Sequence, residues 1–259
     1  VTTIFTSHKF SLDECPPNLK KNVGLWDSLN PSYDFKYYND EEMKTWIKKN
    51  TSEETFTLFS RLNTGAGRAD MFRICHLHID GGVWVDADLP AFDINKQHPK
   101  FEDTLRENKA VLVRNRKCDN PRFTFIAGIS GSSLFSILKG QINERINLAI
   151  KNRSSDHLGN VFTLHKLLLT MCGFEDVIKA GPRSEWPQGY AFHGTIPLNV
   201  PHEVDGVNFI YIDDIVPERE TYDEENVYAG YAADLKHMSV AHHGQVDQVC
   251  TTQKSYTRR

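Results

Sequence analysis

The stretch from Asn63 to Leu89, NTGAGRADMFRICHLHIDGGVWVDADL, constrains this chain more than any other. Apolar residues at Ala66, Ala69, Phe72, Cys75 and Ile79 recur every three or four positions and predict a helix over 64–79. Gly81-Gly82 ends it. The run Val83–Asp88 then predicts a strand, with Val83, Val85 and Ala87 on one face and Trp84, Asp86 and Asp88 on the other. Two carboxylates therefore point the same way at the end of an otherwise apolar strand. Unpaired carboxylates are costly there, so they need a cation, donors or solvent. A hard divalent ion, Mn²⁺ or Mg²⁺, takes one or two carboxylates together with phosphate and water, and would satisfy them.

The surrounding elements alternate. Thr3–Thr6, Tyr33–Tyr38, Ala110–Arg114, Phe123–Ala127 and Val207–Asp213 predict further strands. Asn39 or Asp40 caps a helix with Met43, Trp46 and Ile47 inward, and Glu53–Leu62 predicts another. Ser132 starts a long helix with Phe135, Leu138, Ile142, Ile146 and Ala149 inward. One more carries Val161, Leu164, Leu168 and Met171, and stops at Gly173. This alternation predicts an α/β fold, a mixed and mostly parallel sheet flanked by helices, with ligands beyond the carboxyl ends of the strands. The expected organisation is a single domain over residues 1–250 and a polar tail over 251–259.

Composition excludes several classes. The net charge of −4 argues against nucleic acid as the main partner, which would need a basic footprint. No apolar run approaches the roughly 20 residues of a membrane span. The five cysteines, Cys15, Cys75, Cys118, Cys172 and Cys250, are scattered and lack the spacing of a disulfide framework or a zinc-thiolate site. They read as free thiols.

Asp-x-Asp decides nothing alone, since 19 Asp in 259 positions give about 1.4 such pairs by chance. Context decides more. Asp70 and Arg73 lie at i and i+3 on the preceding helix, and the turn through Gly81-Gly82 returns that face toward Asp86 and Asp88. The bland reading is an ordinary helix ion pair; the functional one is a carboxylate and a guanidinium gripping sugar hydroxyls. His76 and His78 lack ligand spacing and read as structural. Gly65-Ala66-Gly67 is too isolated for a dinucleotide loop, and Asp213-Asp214 reads as a solvated strand end.

The run ADMFRICHLHIDGGVWVDADL resembles the sugar-binding region of glycosyltransferase family 32 and its relatives, among them initiating mannosyltransferases, capsular polysaccharide transferases and large clostridial glucosylating toxins. The shared pattern is Asp-x-x-Arg, Gly-Gly, then Asp-x-Asp, matched by Asp70, Arg73, Gly81, Gly82, Asp86 and Asp88. The preceding NPSYDFKYYNDEEMKTWI and the later His237–Gln245 (HMSVAHHGQ) are similar to other stretches of that family, whereas Leu158-Gly159-Asn160 and Gly244-Gln245 depart from it. The resemblance implies a GT-A fold and a metal-dependent transfer of a sugar from a nucleotide-sugar donor, a UDP-sugar before a GDP-sugar, to a glycan or glycoprotein acceptor. It implies that Asp86 contacts ribose and donor sugar and Asp88 the metal. Asp70, Arg73, Gly81 and Gly82 would lie along the donor. Thr6, Ser7 and His8 would border the base, and His242 or His243 would complete the metal or diphosphate shell. Trp84 is expected to pack rather than stack. Most of the family retains anomeric configuration, which needs no dedicated base; an inverting enzyme would use Asp156 or His157.

Two alternatives stand beside this reading: a catalytically silent nucleotide-sugar or carbohydrate binding module, and a metal-dependent phosphohydrolase. The expected setting is a soluble, cytosolic microbial or viral enzyme, with a trimmed Golgi-type catalytic domain as the alternative.

Overall fold

The computed structural model describes residues 2–115, 120–152 and 197–217. Within them, β1 (Thr3–Ser7), β2 (Asp34–Tyr38), β3 (Gly81–Val85), β4 (Ala110–Asn115), β5 (Asn120–Ile129), β6 (Pro201–Val204) and β7 (Val207–Ile212) form one sheet in the order β2-β1-β3-β5-β4-β7-β6. The pairs β1/β2, β1/β3 and β4/β7 are parallel, whereas β3/β5, β4/β5 and β6/β7 are antiparallel. Five of the seven strands therefore run one way, and β5 and β6 run against them. The carboxyl ends of β1, β2, β3, β4 and β7 share one rim of the sheet with the amino end of β5.

Period-two alternation splits the strands between two cores. Phe5, Trp84, Leu112, Ile126 and Phe209 point to a face covered by α2 (Asp40–Asn50), α3 (Glu53–Phe59), α4 (Gly65–Ile79) and α7 (Ser133–Asn152). Ile4, Val83, Val85, Val111 and Phe125 point to the other, covered by α1 (Pro17–Leu29), α5 (Ile94–Gln97) and α6 (Phe101–Asn108). The result is the expected α/β sandwich.

Local chemistry fixes the elements. Asn39, not Asp40, is the N-cap of α2, in a reciprocal capping box with Glu42. Asp40 instead pairs with Arg68 at 2.7 Å. Thr64 caps α4 through the Gly67 amide. That helix is buried on every side from Met71 to Leu77, because it lies between the sheet and α2 and α7. Its inner face therefore does not follow the expected stripe, and Ala66 is exposed. In α7 the expected residues Phe135, Leu138, Ile142, Ile146 and Ala149 are all buried.

α4 ends at Ile79 with Asp80 as its C-cap, and Gly81, at φ +74°, stops it as expected and opens β3 together with Gly82. Gly82 has φ +116°, and a Cβ there would sit 2.5 Å from the Thr3 carbonyl oxygen. Only glycine lets β1 and β3 approach at this point.

Candidate functional site

The rim at the carboxyl ends of β1 and β3 gathers the charged residues that the sequence singles out. Arg73 is its centre. It is 5% exposed, and its guanidinium reaches three elements. Nη2 pairs with Asp70 Oδ1 at 2.6 Å, Nη1 lies 3.2 Å from Asp86 Oδ1, and Nη1 also donates to the Phe123 carbonyl at 2.6 Å. The Trp84 ring lies against it, with the guanidinium carbon 4.5 Å from the ring centroid. Trp84 donates through Nε1 to Asp86 Oδ1 at 2.7 Å. It is itself buried, so it packs as expected.

This arrangement gives Arg73 a task beside the expected grip on sugar hydroxyls. A guanidinium committed to two carboxylates and a carbonyl, under an indole, orients those carboxylates; it does not present itself to solvent. Asp70 and Asp86 are the exposed ends of the cluster, each with a quarter of its side-chain surface open. The bonds of the Asp86 carboxylate all fall on Oδ1.

The strand ends earlier than the alternation predicts. β3 stops at Val85, the Asp86 amide donates to the Thr124 carbonyl, and the Leu89 amide turns back to the Asp86 carbonyl. Trp84 and Asp86 do share a face. Asp88 lies within that turn, so the two-residue rule does not set its direction. The carbonyls of Ala87 and Leu89, which an extended strand would give to a neighbour, are taken by Asn22 of α1.

β1 delivers Thr6, Ser7 and His8 to the same rim, with β1 and β3 side by side through Phe5 and Trp84. Thr6 Oγ1, Ser7 Oγ and Thr124 Oγ1 are buried with no hydrogen-bond partner among the described residues. Buried hydroxyls rarely stay so, and three at one strand-end rim suit a polar ligand or bound water. His8 lies 3.9 Å from Cys15 Sγ, and burial, with a smaller push from Lys9, lowers its pKa to about 4. Its imidazole is therefore neutral at pH 7.

Gly81 and Gly82 are not brought to this group. They stand at the amino end of β3, on the far side of the sheet. There they help line a cavity of about 440 Å³ with Thr3, Glu102, Arg106 and Ser130. Volume and chemistry thus point to opposite ends of the strands. Chemistry decides, because open α/β sheets bind ligands beyond their carboxyl ends. Asp156, His157, His242 and His243 lie outside the described residues.

Oxygen ligands from Asp86 and Asp88 suit Mn²⁺ or Mg²⁺, which keep several positions for phosphate and water. Among the described residues no group of three or more His, Cys, Asp or Glu is placed to hold a metal ion. Among the described residues, an ion there would have the carboxylates of Asp86 and Asp88 to draw on.

Elsewhere the structure corrects one expectation and meets another. Asp214 is not solvated: its side chain is 5% exposed, bound to Arg122 and to the Val216 amide. Its neighbour Asp213 pairs with Arg114. His76 is structural, sandwiched between Phe5 and Trp46 with ring centroids at 3.8 and 4.9 Å. No helix among the described residues is long and apolar enough to cross a membrane.

No protein-family profile and no curated protein matches this chain. A solved structure titled "PaToxG Glycosyltransferase" aligns with 65% of this chain and 69% of its own, at a TM-score of 0.47 and 13% sequence identity.

Proposed function

We propose that this chain is a metal-dependent glycosyltransferase of GT-A fold. It would move a sugar from a nucleoside diphosphate donor, UDP before GDP, to a hydroxyl of a glycan or glycoprotein acceptor. One observation carries the reading: Asp70, Arg73 and Asp86, spaced along the sequence as in the resembling family, meet in one cluster at the carboxyl ends of the strands.

In this reading Asp88, with Asp86, holds a divalent cation. When bound, that ion supplies neutralisation of the charge that develops on the departing diphosphate. Arg73 keeps the Asp70 and Asp86 carboxylates aimed, so they cost little reorganisation when the donor arrives. Asp70 accepts hydrogen bonds from sugar hydroxyls. Thr6 and Ser7 offer hydroxyls to the base or ribose, and neutral His8 adds an apolar edge to that pocket. The acceptor hydroxyl has to be held within about 3–3.5 Å of the anomeric carbon.

Incubation with a panel of UDP- and GDP-sugars and Mn²⁺ tests this. Nucleoside diphosphate released only when an acceptor glycan is present is the expected result. Release regardless of acceptor marks a hydrolase, and binding without release marks a silent module. Asp88→Asn is expected to cut turnover at least ~100-fold, and an unchanged rate overturns the reading. Anomeric proton couplings of the product give the stereochemistry.

A further inference from the structure

The loop that carries Asp88 is fastened from the side of the sheet opposite Arg73. Asn22 of α1 is 1% exposed. Its Nδ2 donates to the carbonyls of Ala87 and Leu89, both at 2.8 Å, and its Oδ1 accepts from the Ala91 amide at 2.9 Å. One side-chain amide thus holds the backbone immediately before and after Asp88 with both of its hydrogens. Trp26, one turn further along α1, adds a donor to the same Leu89 carbonyl at 3.1 Å. Ala87 packs with Cys15 and Leu19, which closes the bracket.

Every hydrogen-bonding group of the Asn22 side chain is therefore used, and used on three alternate residues, Ala87, Leu89 and Ala91. A buried amide in that state is rigid, because losing it removes a hydrogen bond from two carbonyls and one N–H together. The Asp86 side chain is fixed from the other face by Arg73 and Trp84. The two carboxylates are thus tied to the fold by independent clamps, one on each face of the sheet.

We infer that Asn22 is a positioning residue: it sets the direction of Asp88 relative to Asp86, and so the bite of that pair on a divalent cation. The inference rests on the proposed cation site. Outer partners of this kind govern affinity without touching the ion.

Asn30 supplies the control. It is 2% exposed and has the same chemistry. It donates to the Trp26 and Phe92 carbonyls at 3.0 and 2.9 Å and accepts from the Ile94 amide at 3.0 Å. Its bonds fall within α1 and on Phe92 and Ile94, downstream of the carboxylates. Mn²⁺ is titrated into the parent, Asn22→Ala and Asn30→Ala, with saturating UDP or GDP in separate runs, and free Mn²⁺ is read from its electron paramagnetic resonance signal. Thermal melts are recorded alongside. Asn22→Ala is expected to weaken Mn²⁺ about ten-fold or more, while Asn30→Ala, with a comparable fall in Tm, binds within about two-fold of the parent. Asn22→Asp preserves size and the acceptor for Ala91 but has no donor for the two carbonyls. It is expected to weaken Mn²⁺ as well, and it decides the matter where the alanine variant does not fold. Parent-like Mn²⁺ binding by Asn22→Ala or Asn22→Asp overturns the positioning role and leaves the proposed function standing. Equal weakening in Asn30→Ala overturns it too, as a stability effect. A parent that takes up no Mn²⁺ with either nucleotide overturns the cation site itself, and both readings fall.

Discussion

Arg73 shows how one side chain can serve fold and chemistry together. Its charge is almost fully desolvated, which is tolerable only because Asp70, Asp86 and the Phe123 carbonyl surround it. Lysine has the charge but not the planar fork, so it cannot hold three partners in two directions. Arg73→Lys is therefore expected to lower stability by about 2 kcal/mol or more, read as a fall in the urea midpoint at constant slope. An unchanged midpoint would mean the cluster is not a structural clamp. His76 makes a second case. Burial outweighs the pull of Asp80, and its pKa falls to about 4 from the ordinary 6.5. The unfolded chain then takes up the proton first. Stability is fully present above pH 6.5 and is lost as pH falls from there toward 4. His8 contributes in the same sense. Removing one imidazole isolates its share: His76→Phe, which preserves a ring between Phe5 and Trp46, is expected to flatten the fall in urea stability between pH 7 and 4.5. A slope identical to the parent's would refute this.

Among the elements, those with a clean apolar period are the legible ones. The inner stripe of α7, the capped start of α2 and the apolar strands on either side of the site were readable from spacing alone. α1 was not, for a physical reason. One of its buried positions is Asn22, which interrupts the stripe of Leu19, Val23 and Trp26 and is the amide that grips the Asp88 loop; the C-cap Asn30 is buried too, bonded to Phe92 and Ile94. Pro17 at the first helical turn was the available signal. The edge strand β6 was missed because it is polar and half exposed. The Asp205-Gly206 pair that joins it to β7, both residues at positive φ, is nonetheless a strong hairpin signature. Glycines separate along the same line between position and composition. Gly82→Ala forces a Cβ onto the Thr3 carbonyl at a positive φ and is expected to cost at least ~2 kcal/mol. Gly24→Ala, in α1 with nothing within 4 Å of the new Cβ, is expected to gain about 0.5–1 kcal/mol. Thermal melts of the two variants should move in opposite directions; movement in the same direction would contradict the backbone geometry.

At the scale of the molecule, topology rather than any single motif assembles the rim. Parallel β1 and β3 bring Thr6, Ser7 and Asp86 to one end, and the reversal of β5 brings Phe123 and Thr124 to meet them. That long-range convergence was not readable from spacing; the sequence carried the charged residues and their register on α4 and β3, but not the strand that receives Arg73. The opposite end offers a cavity of about 440 Å³ lined by Thr3, Gly81, Gly82 and Ser130, so the two ends of the sheet make rival claims on a ligand. Hydrogen exchange separates them. A bound ligand slows opening only where it contacts or braces the chain. With Mn²⁺ and UDP or GDP, peptides spanning Thr6–His8 and Asp86–Leu89 are expected to exchange more slowly, while those spanning Gly81–Gly82 and Gly128–Ser130 are unchanged. Protection confined to the second group would move the working end of the sheet to the amino side of β3, where no carboxylate pair meets Arg73, and the chemistry assigned to Asp86 and Asp88 would lose its substrate.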